Sequence, residues 1–321
     1  MKTAEQVNYK YAADTSSYVL ALTGSEASTA TKQKISKVTH IIQMILTYLF
    51  LAVMGIVIIF PFYWMIITSL KTGEEIKALV QTFYPHVVRW ENYTDAFQRL
   101  DFGVLLRNTL LVGILSTIGT IITTILAAYA FARLTFKGRD LVFTFLLGSM
   151  MIPGEMMVIS NYISVSRLGW TSSGNYIGNF SAMIIPFWVS IFYIYLLRQN
   201  FKQVPNELYL AAKVDGKSDW SYLWKVMIPL AAPTLISITI LKFMGTWNSY
   251  VWPNLVTEIP QYRLISNGLR ESSFQNPDMA GQTEYGYQMA ASILVTVPLF
   301  LLFVFFRKYI MKGFGRAGIK G

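Results

Sequence analysis

Long apolar runs separated by short charged stretches dominate the pattern of this chain. Six of them, near Ile41 to Trp64, Val104 to Ala132, Leu141 to Ile163, Ser181 to Leu197, Leu230 to Trp247 and Met289 to Phe306, approach or exceed the ~20 helical residues that cross a hydrocarbon core. The fourth is the shortest. The pattern predicts an all-α integral membrane protein with six transmembrane helices: a cytoplasmic tail over residues 1–40, a membrane domain over 41–306 and a second cytoplasmic tail over 307–321. The first forty residues are polar and show no small-residue cleavage site after a short apolar core. The first span therefore reads as an uncleaved anchor and not as a signal peptide.

Composition agrees with lipid as the solvent: 54% of residues are hydrophobic and 14% charged, against about a quarter charged in soluble domains. The net charge of +10 would fit nucleic acid only if basic residues gathered on one face with stacking aromatics. They lie between the apolar runs instead. Five Lys and Arg precede the first span, three lie between Arg133 and Asp140, five between Arg198 and Lys225 and five after Phe306; eight fall in the alternate segments. Because cytoplasmic loops are enriched in Lys and Arg, both termini are expected inside. With no cysteine and two histidines, no metal site and no thiol chemistry are expected.

Ser116, Thr120, Thr124, Ala128 and Ala132 recur every four residues in the second span, a small-residue stripe that lets another helix approach closely. Trp64, Trp90, Trp170, Trp247 and Trp252 fall near expected outer boundaries and read as interfacial anchors. Only Glu155 and Lys242 are charged groups well inside the spans. At roughly 1.5 Å per residue they reach similar depth, so an ion pair between spans three and five is one reading and a substrate pathway the other. Pro153-Gly154 can break span three beside Glu155. Glu155, Trp188, Lys242, Trp247 and Asn248 are the pathway candidates: Glu155, Trp188, Trp247 and Asn248 are of the kinds that bond hydroxyls and cover C–H faces, and a cavity lysine would suit an anionic ligand.

The segment from Asn200 to Pro229 is too polar for lipid and too patterned for a linker. Pro205 suits a first helical turn and Gly216 the residue after a helix end; Ser218 can cap a second helix, with Asp219 in its first turn. Trp220, Leu223, Trp224 and Met227 recur at helical spacing, which predicts one apolar face against the bundle. The first helix exposes Leu208, Ala211 and Ala212. Ala211 to Ser218 also satisfies a relaxed phosphate-loop pattern, but such a loop needs a preceding strand and a βαβ unit.

This loop resembles the "EAA" loop of ABC importer permeases, with Ala211, Ala212, Asp215, Gly216, Val226, Ile228 and Pro229 on the pattern. Residues 128–133 (Ala-Tyr-Ala-Phe-Ala-Arg), 150–155 (Met-Met-Ile-Pro-Gly-Glu), 247–253 (Trp-Asn-Ser-Tyr-Val-Trp-Pro) and 317–321 (Ala-Gly-Ile-Lys-Gly) extend the resemblance toward carbohydrate-importer permeases, the second, maltose-type permease above all. It implies the type I importer fold, no catalytic residue, and coupling through 205–216 to an ATPase. The coupling residues would be Glu207, Leu210, Ala211, Ala212, Asp215 and Gly216. Implied partners are a homologous second permease, two ABC ATPases that bind ATP and Mg, and an extracytoplasmic sugar-binding protein. The pattern's acidic residue falls on Leu210, and a Glu often found before it on Tyr209; Glu207, three residues before Leu210, is then the candidate acidic contact. The competing reading is a secondary transporter or channel without an ATPase, which would predict inverted repeats and ion sites. No repeat of the loop is present.

Overall fold

The computed structural model describes residues 39–172, 174–272, 274 and 283–315, with side chains to residue 309. The expected tails before residue 39 and after 315, including the 317–321 motif, lie outside the described residues. The chain divides into a unit ending at Trp64 and a second beginning at Met65. Within the described residues the first unit is the larger part of helix α1, Thr39–Ser69, whose apolar side chains from Ile41 to Phe62 are almost all exposed.

The second unit follows as α2 (Gly73–Lys77), α3 (Glu91–Arg99), α4 (Phe102–Arg133), α5 (Arg139–Ser149), α6 (Val158–Arg167), α7 (Tyr176–Ile184) and α8 (Ile191–Lys202). Then come α9 (Asn206–Val214), α10 (Asp219–Tyr222), α11 (Ile228–Leu230), α12 (Ala232–Trp247), α13 (Val251–Val256), α14 (Ile265–Glu271) and α15 (Tyr285–Gly315). Three helices, α1, α4 and α15, are long and apolar enough to cross a membrane unbroken. The other three expected spans are bent pairs: α5 with Gly154–Arg167 at 91°, Tyr176–Phe187 with α8 at 45°, and Asp219–Leu230 with α12 at 77°.

The first break is the one Pro153-Gly154 signals, the second corrects a continuous span four, the third lies at the start of α12, and each has a local cause. Pro153 cannot donate a helical hydrogen bond, and its neighbours at 150–152 close tight turns instead. Pro186 sits in the 3-10 turn that ends α7, and Ser190 restarts the helix by accepting from the Tyr193 N–H. Pro229 and Pro233 flank the third break. The first half of the bent fifth pair is the second helix of the polar loop, so the apolar run belongs to α12 alone.

Helix α4 is the axis of the second unit. Its 32 residues extend roughly 48 Å at 1.5 Å per residue, well beyond the ~30 Å hydrocarbon core. It packs on α8 and α12, and α12 packs on α15. The small-residue stripe makes this approach possible: Ser116, Thr120, Thr124 and Ala128 are all buried, and Ala128 meets Leu197, Phe201 and Ile238 in one core. Without a hydrophobic effect between helices in lipid, close van der Waals packing is what holds them. Gly119 lies on the next face, where a Cβ would overlap the Trp188 indole.

The second core joins Leu100, Phe102, Leu105, Trp247 and Ile265 to the start of α15; the third joins Val112 and Phe180 to Trp252 and Leu264. Trp247 and Trp252 are therefore core residues and not interfacial anchors. Their indole N–H groups donate to the carbonyls of Val295 (3.3 Å) and Ala182 (3.0 Å). Trp90 is exposed, as an anchor requires.

Replacing Ala128 by Leu would force a branched side chain into a fully buried contact. It is expected to cost about 1–3 kcal/mol and to lower the thermal unfolding midpoint of the detergent-solubilised protein. An unchanged midpoint would contradict the packing of α4 on α8.

Candidate functional site

Two places concentrate the groups singled out above: a cavity beside Lys242 in the broken-helix region, and the α9 loop at the other end of α12.

The break after α7 frees backbone carbonyls at Phe187 and Trp188. Inside a membrane such groups need partners from protein or enclosed water. Two threonines of α4 supply them: the Thr120 hydroxyl donates to the Phe187 carbonyl at 3.0 Å and the Thr123 hydroxyl to the Trp188 carbonyl at 2.6 Å. Lys242 joins from α12, donating from Nζ to the Phe187 carbonyl at 3.1 Å, with its ammonium 5.7 Å from the Phe187 ring centre. The anticipated Glu155–Lys242 ion pair does not form. The 91° bend swings Glu155 into an exposed 3-10 turn, where its carboxylate has no hydrogen bond or ion pair among the described residues. A charged residue at membrane depth costs on the order of 3 kcal/mol, so the carbonyl of Phe187 is only part of what Lys242 needs.

Lys242 lines a cavity of about 340 Å³, with Ser116, Phe187, Tyr193, Thr246 and Trp252 among its walls. The volume falls in the ~300–1,000 Å³ range of ligand pockets. Of the five pathway candidates only Lys242 lies there. Trp188 covers Gly119 and lines a separate, largely apolar cavity with Ile122 and Ile184. Trp247 is buried, while Asn248 is exposed at the end of α12 and donates from Nδ2 to the Met244 carbonyl at 3.0 Å. Tyr193 and Thr246 carry no motif, and only the fold gathers them with Trp252 of the 247–253 segment.

The loop after α8 forms two short helices, as its pattern predicts. Pro205 stands at the cap of α9, one position before the first turn. Gly216 follows the helix end with φ of +70°, which lets the Lys217 N–H reach the Ala212 carbonyl at 2.9 Å. Ser218 caps α10 by accepting from the Ser221 N–H at 3.2 Å. The relaxed phosphate-loop match at 211–218 is preceded by helix α9 and not by a strand, so its backbone is not the phosphate cradle the motif requires.

Residues 223–227 wind as a π-helix, and this rotates the expected apolar face. Tyr222, Leu223 and Met227 turn inward and are almost fully buried, whereas Trp220 (60% exposed) and Trp224 (48%) turn out as an edge-on pair. The exposed side of α9 carries Glu207, Leu208, Leu210 and Ala211. Asp215 and Gly216 are exposed at its end, and Ala212 packs partly against the core.

Tyr209 explains part of the departure from the acidic pattern. It points inward and its hydroxyl donates to the Asp219 carboxylate at 2.9 Å; the Tyr129 hydroxyl of α4 approaches the same oxygen at 3.3 Å, and Lys213 Nζ lies at 3.1 Å. Asp219 thus joins α9, α10 and α4. Its hydrogen bond holds the Lys213 ammonium above the ordinary lysine range. With a raised folded-state value, whatever this contact contributes is complete at neutral pH and is lost only as pH rises through that value.

The family described as binding-protein-dependent transport system inner membrane component matches residues 119–316. A trehalose/maltose transport system permease of Thermococcus litoralis is 31% identical over 286 residues, 88% of this chain and 99% of that protein. An arabinooligosaccharides transport system permease of Bacillus subtilis is 27% identical, covering 85% of this chain and 94% of that protein. Among solved structures, a bacterial ABC transporter involved in the import of the acidic polysaccharide alginate superposes with a TM-score of 0.75 at 22% identity, over 84% of this chain and 96% of that one. A second match is described as the alginate transporter in complex with its pentasaccharide-bound periplasmic protein, at a TM-score of 0.57.

Asp219→Ala would free Tyr209 and Lys213 of α9, and Tyr129 of α4, from the carboxylate they share. Limited trypsin digestion should then cleave after Lys213 and Lys217 several-fold faster than in the wild type. Equal cleavage rates would show that the carboxylate does not hold the loop.

Proposed function

We propose, from the premise that this chain belongs to the family of binding-protein-dependent transport system inner membrane components, that it supplies half of an ATP-driven pathway for carbohydrate, coupled to an ATPase through α9. The family is one of transport permeases and not of enzymes, and the chain is a multi-pass membrane protein. The carbohydrate substrate is supported by the maltose and arabinooligosaccharide relatives and by a cavity that mixes hydroxyls with aromatic faces. An oligosaccharide delivered by an external binding protein fits both.

The observation that carries the coupling role is the attachment of α9. Its outer side exposes Glu207, Leu210 and Ala211, and its inner side is tied through Tyr209 and Asp219 to Tyr129 of the membrane helix α4. A force applied to the exposed side therefore reaches α4. Two ABC ATPases binding ATP and Mg, pressing on Glu207, Leu210, Ala211, Ala212, Asp215 and Gly216, would provide that force. The distribution of lysine and arginine favours both termini and this loop inside the cell, with residues 41–306 as the membrane domain between two cytoplasmic tails.

A homologous second permease is supported by the break in span three. Met151 (86% exposed) and Met156 (70%) stand open beside Glu155, and non-helical backbone at membrane depth is tolerated only against protein or water. A second subunit on this face would cover it. A secondary transporter or channel would need neither ATPase nor α9 docking, and purification in mild detergent separates the two. The importer predicts a second permease and an ATPase in the complex; a chain that transports after isolation alone would overturn it.

Reversing charge at Glu207 tests its contact directly. Glu207→Lys should lower uptake roughly tenfold, a moderate effect for a reversed interfacial charge, while the assembled ATPase continues to hydrolyse ATP. Coupling that survives intact would remove Glu207 from this role.

A further inference from the structure

The geometry points to an acidic carbohydrate as the substrate, with the Lys242 ammonium as the group that receives its carboxylate. This inference rests on the carbohydrate reading above and narrows it.

Lys242 is the only charged residue among those lining the 340 Å³ cavity. The natural neutralising group at similar depth, Glu155, is turned away by the 91° bend in span three. Of the four ion pairs among the described residues, none involves Lys242. Its hydrogen bond goes to a neutral carbonyl, that of Phe187. An ammonium has three N–H donors, so this bond orients the side chain and leaves donors for a ligand.

A neutral sugar offers such an ammonium only hydroxyl oxygens, which replace part of its hydration and none of its missing countercharge. A carboxylate supplies both through a charge-assisted hydrogen bond, stronger and shorter than a neutral one. The remaining walls suit the rest of a sugar ring. Tyr193, Thr246 and Ser249 offer hydroxyls, and Phe187 and Trp252 offer apolar faces held edge-on to each other at 5.4 Å. The Trp252 indole is fixed by its bond to the Ala182 carbonyl. A sugar acid passing through the cavity would therefore find one cation in a setting of neutral donors and aromatic walls, with no acid to repel it.

The test uses the complete importer with its second permease, ATPases and binding protein in proteoliposomes. Uptake of a uronate-containing oligosaccharide is compared with that of the same oligosaccharide after its carboxyl groups have been reduced to alcohols. The wild type should favour the acidic form by about tenfold, equivalent to ~1.4 kcal/mol. Lys242→Met should lower the acidic-to-neutral uptake ratio by a similar factor, and Lys242→Arg, which keeps the charge, should retain it. Because each variant is judged by a ratio, incomplete assembly affects both arms alike. Preferred uptake of the neutral form, or a ratio unchanged in Lys242→Met, would overturn the proposal and leave the carbohydrate reading standing. Uptake of neither sugar by a complex that assembles and hydrolyses ATP would overturn the carbohydrate reading itself, and this proposal with it.

Discussion

A peptide group in hydrocarbon has no water to bond to, and that constraint decides where this chain can depart from a helix. Two of its spans bend within their apolar runs, by 91° and 45°, and a 77° bend precedes α12; each break must find partners. At the break after α7 they come from within the chain: two threonines of α4 and the lysine of α12 converge on the carbonyls of Phe187 and Trp188. The cavity exists because the helix opens there, and Lys242 is held in it because the opening needs a donor. At the break in span three the described residues offer no such cover, which is the ground for proposing a second subunit there. One physical requirement thus underlies both the proposed pathway lining and the proposed assembly surface.

The polar loop extends the same logic to motion. Helix α9 exposes one side and anchors the other, and the anchor is a single carboxylate shared by Tyr209, Lys213 and Tyr129. Tyr129 belongs to the helix whose neighbouring turns hold the broken span. A displacement of α9 has a short covalent and hydrogen-bonded route to the cavity, through α4. With Leu210 in place of the acidic residue, α9 still carries an exposed acid on its outer side, Glu207, because Tyr209 is the residue that turns inward.

Much of this was legible in the residues, and what was not has identifiable reasons. The apolar runs located the six spans, and the four-residue spacing of Ser116, Thr120, Thr124 and Ala128 located the close-packed face of α4. Pro153-Gly154 signalled the first break. The other two carried signals that hydropathy averages away: Pro186 followed by the capping Ser190, and the pair Pro229 and Pro233. The partner of Lys242 was invisible because it is a backbone carbonyl, which no residue type announces. Trp220 and Trp224 were misplaced because a five-residue π-helix shifts the period on which the apolar face was counted. Trp247 and Trp252 match an interfacial residue in type, and only the packing of α14 and α15 on Trp247 and of α7 on Trp252 reveals their burial.

The central claim is that the exposed side of α9 faces the cell interior and meets an ATPase there. Because the chain has no cysteine, a single Leu210→Cys substitution reports on it without background. In membrane vesicles of the assembled importer, a membrane-impermeant thiol reagent should label this position only when the cytoplasmic side faces out, and bound ATPase should protect it. Labelling from the external side, or labelling unaffected by the ATPase, would contradict the account.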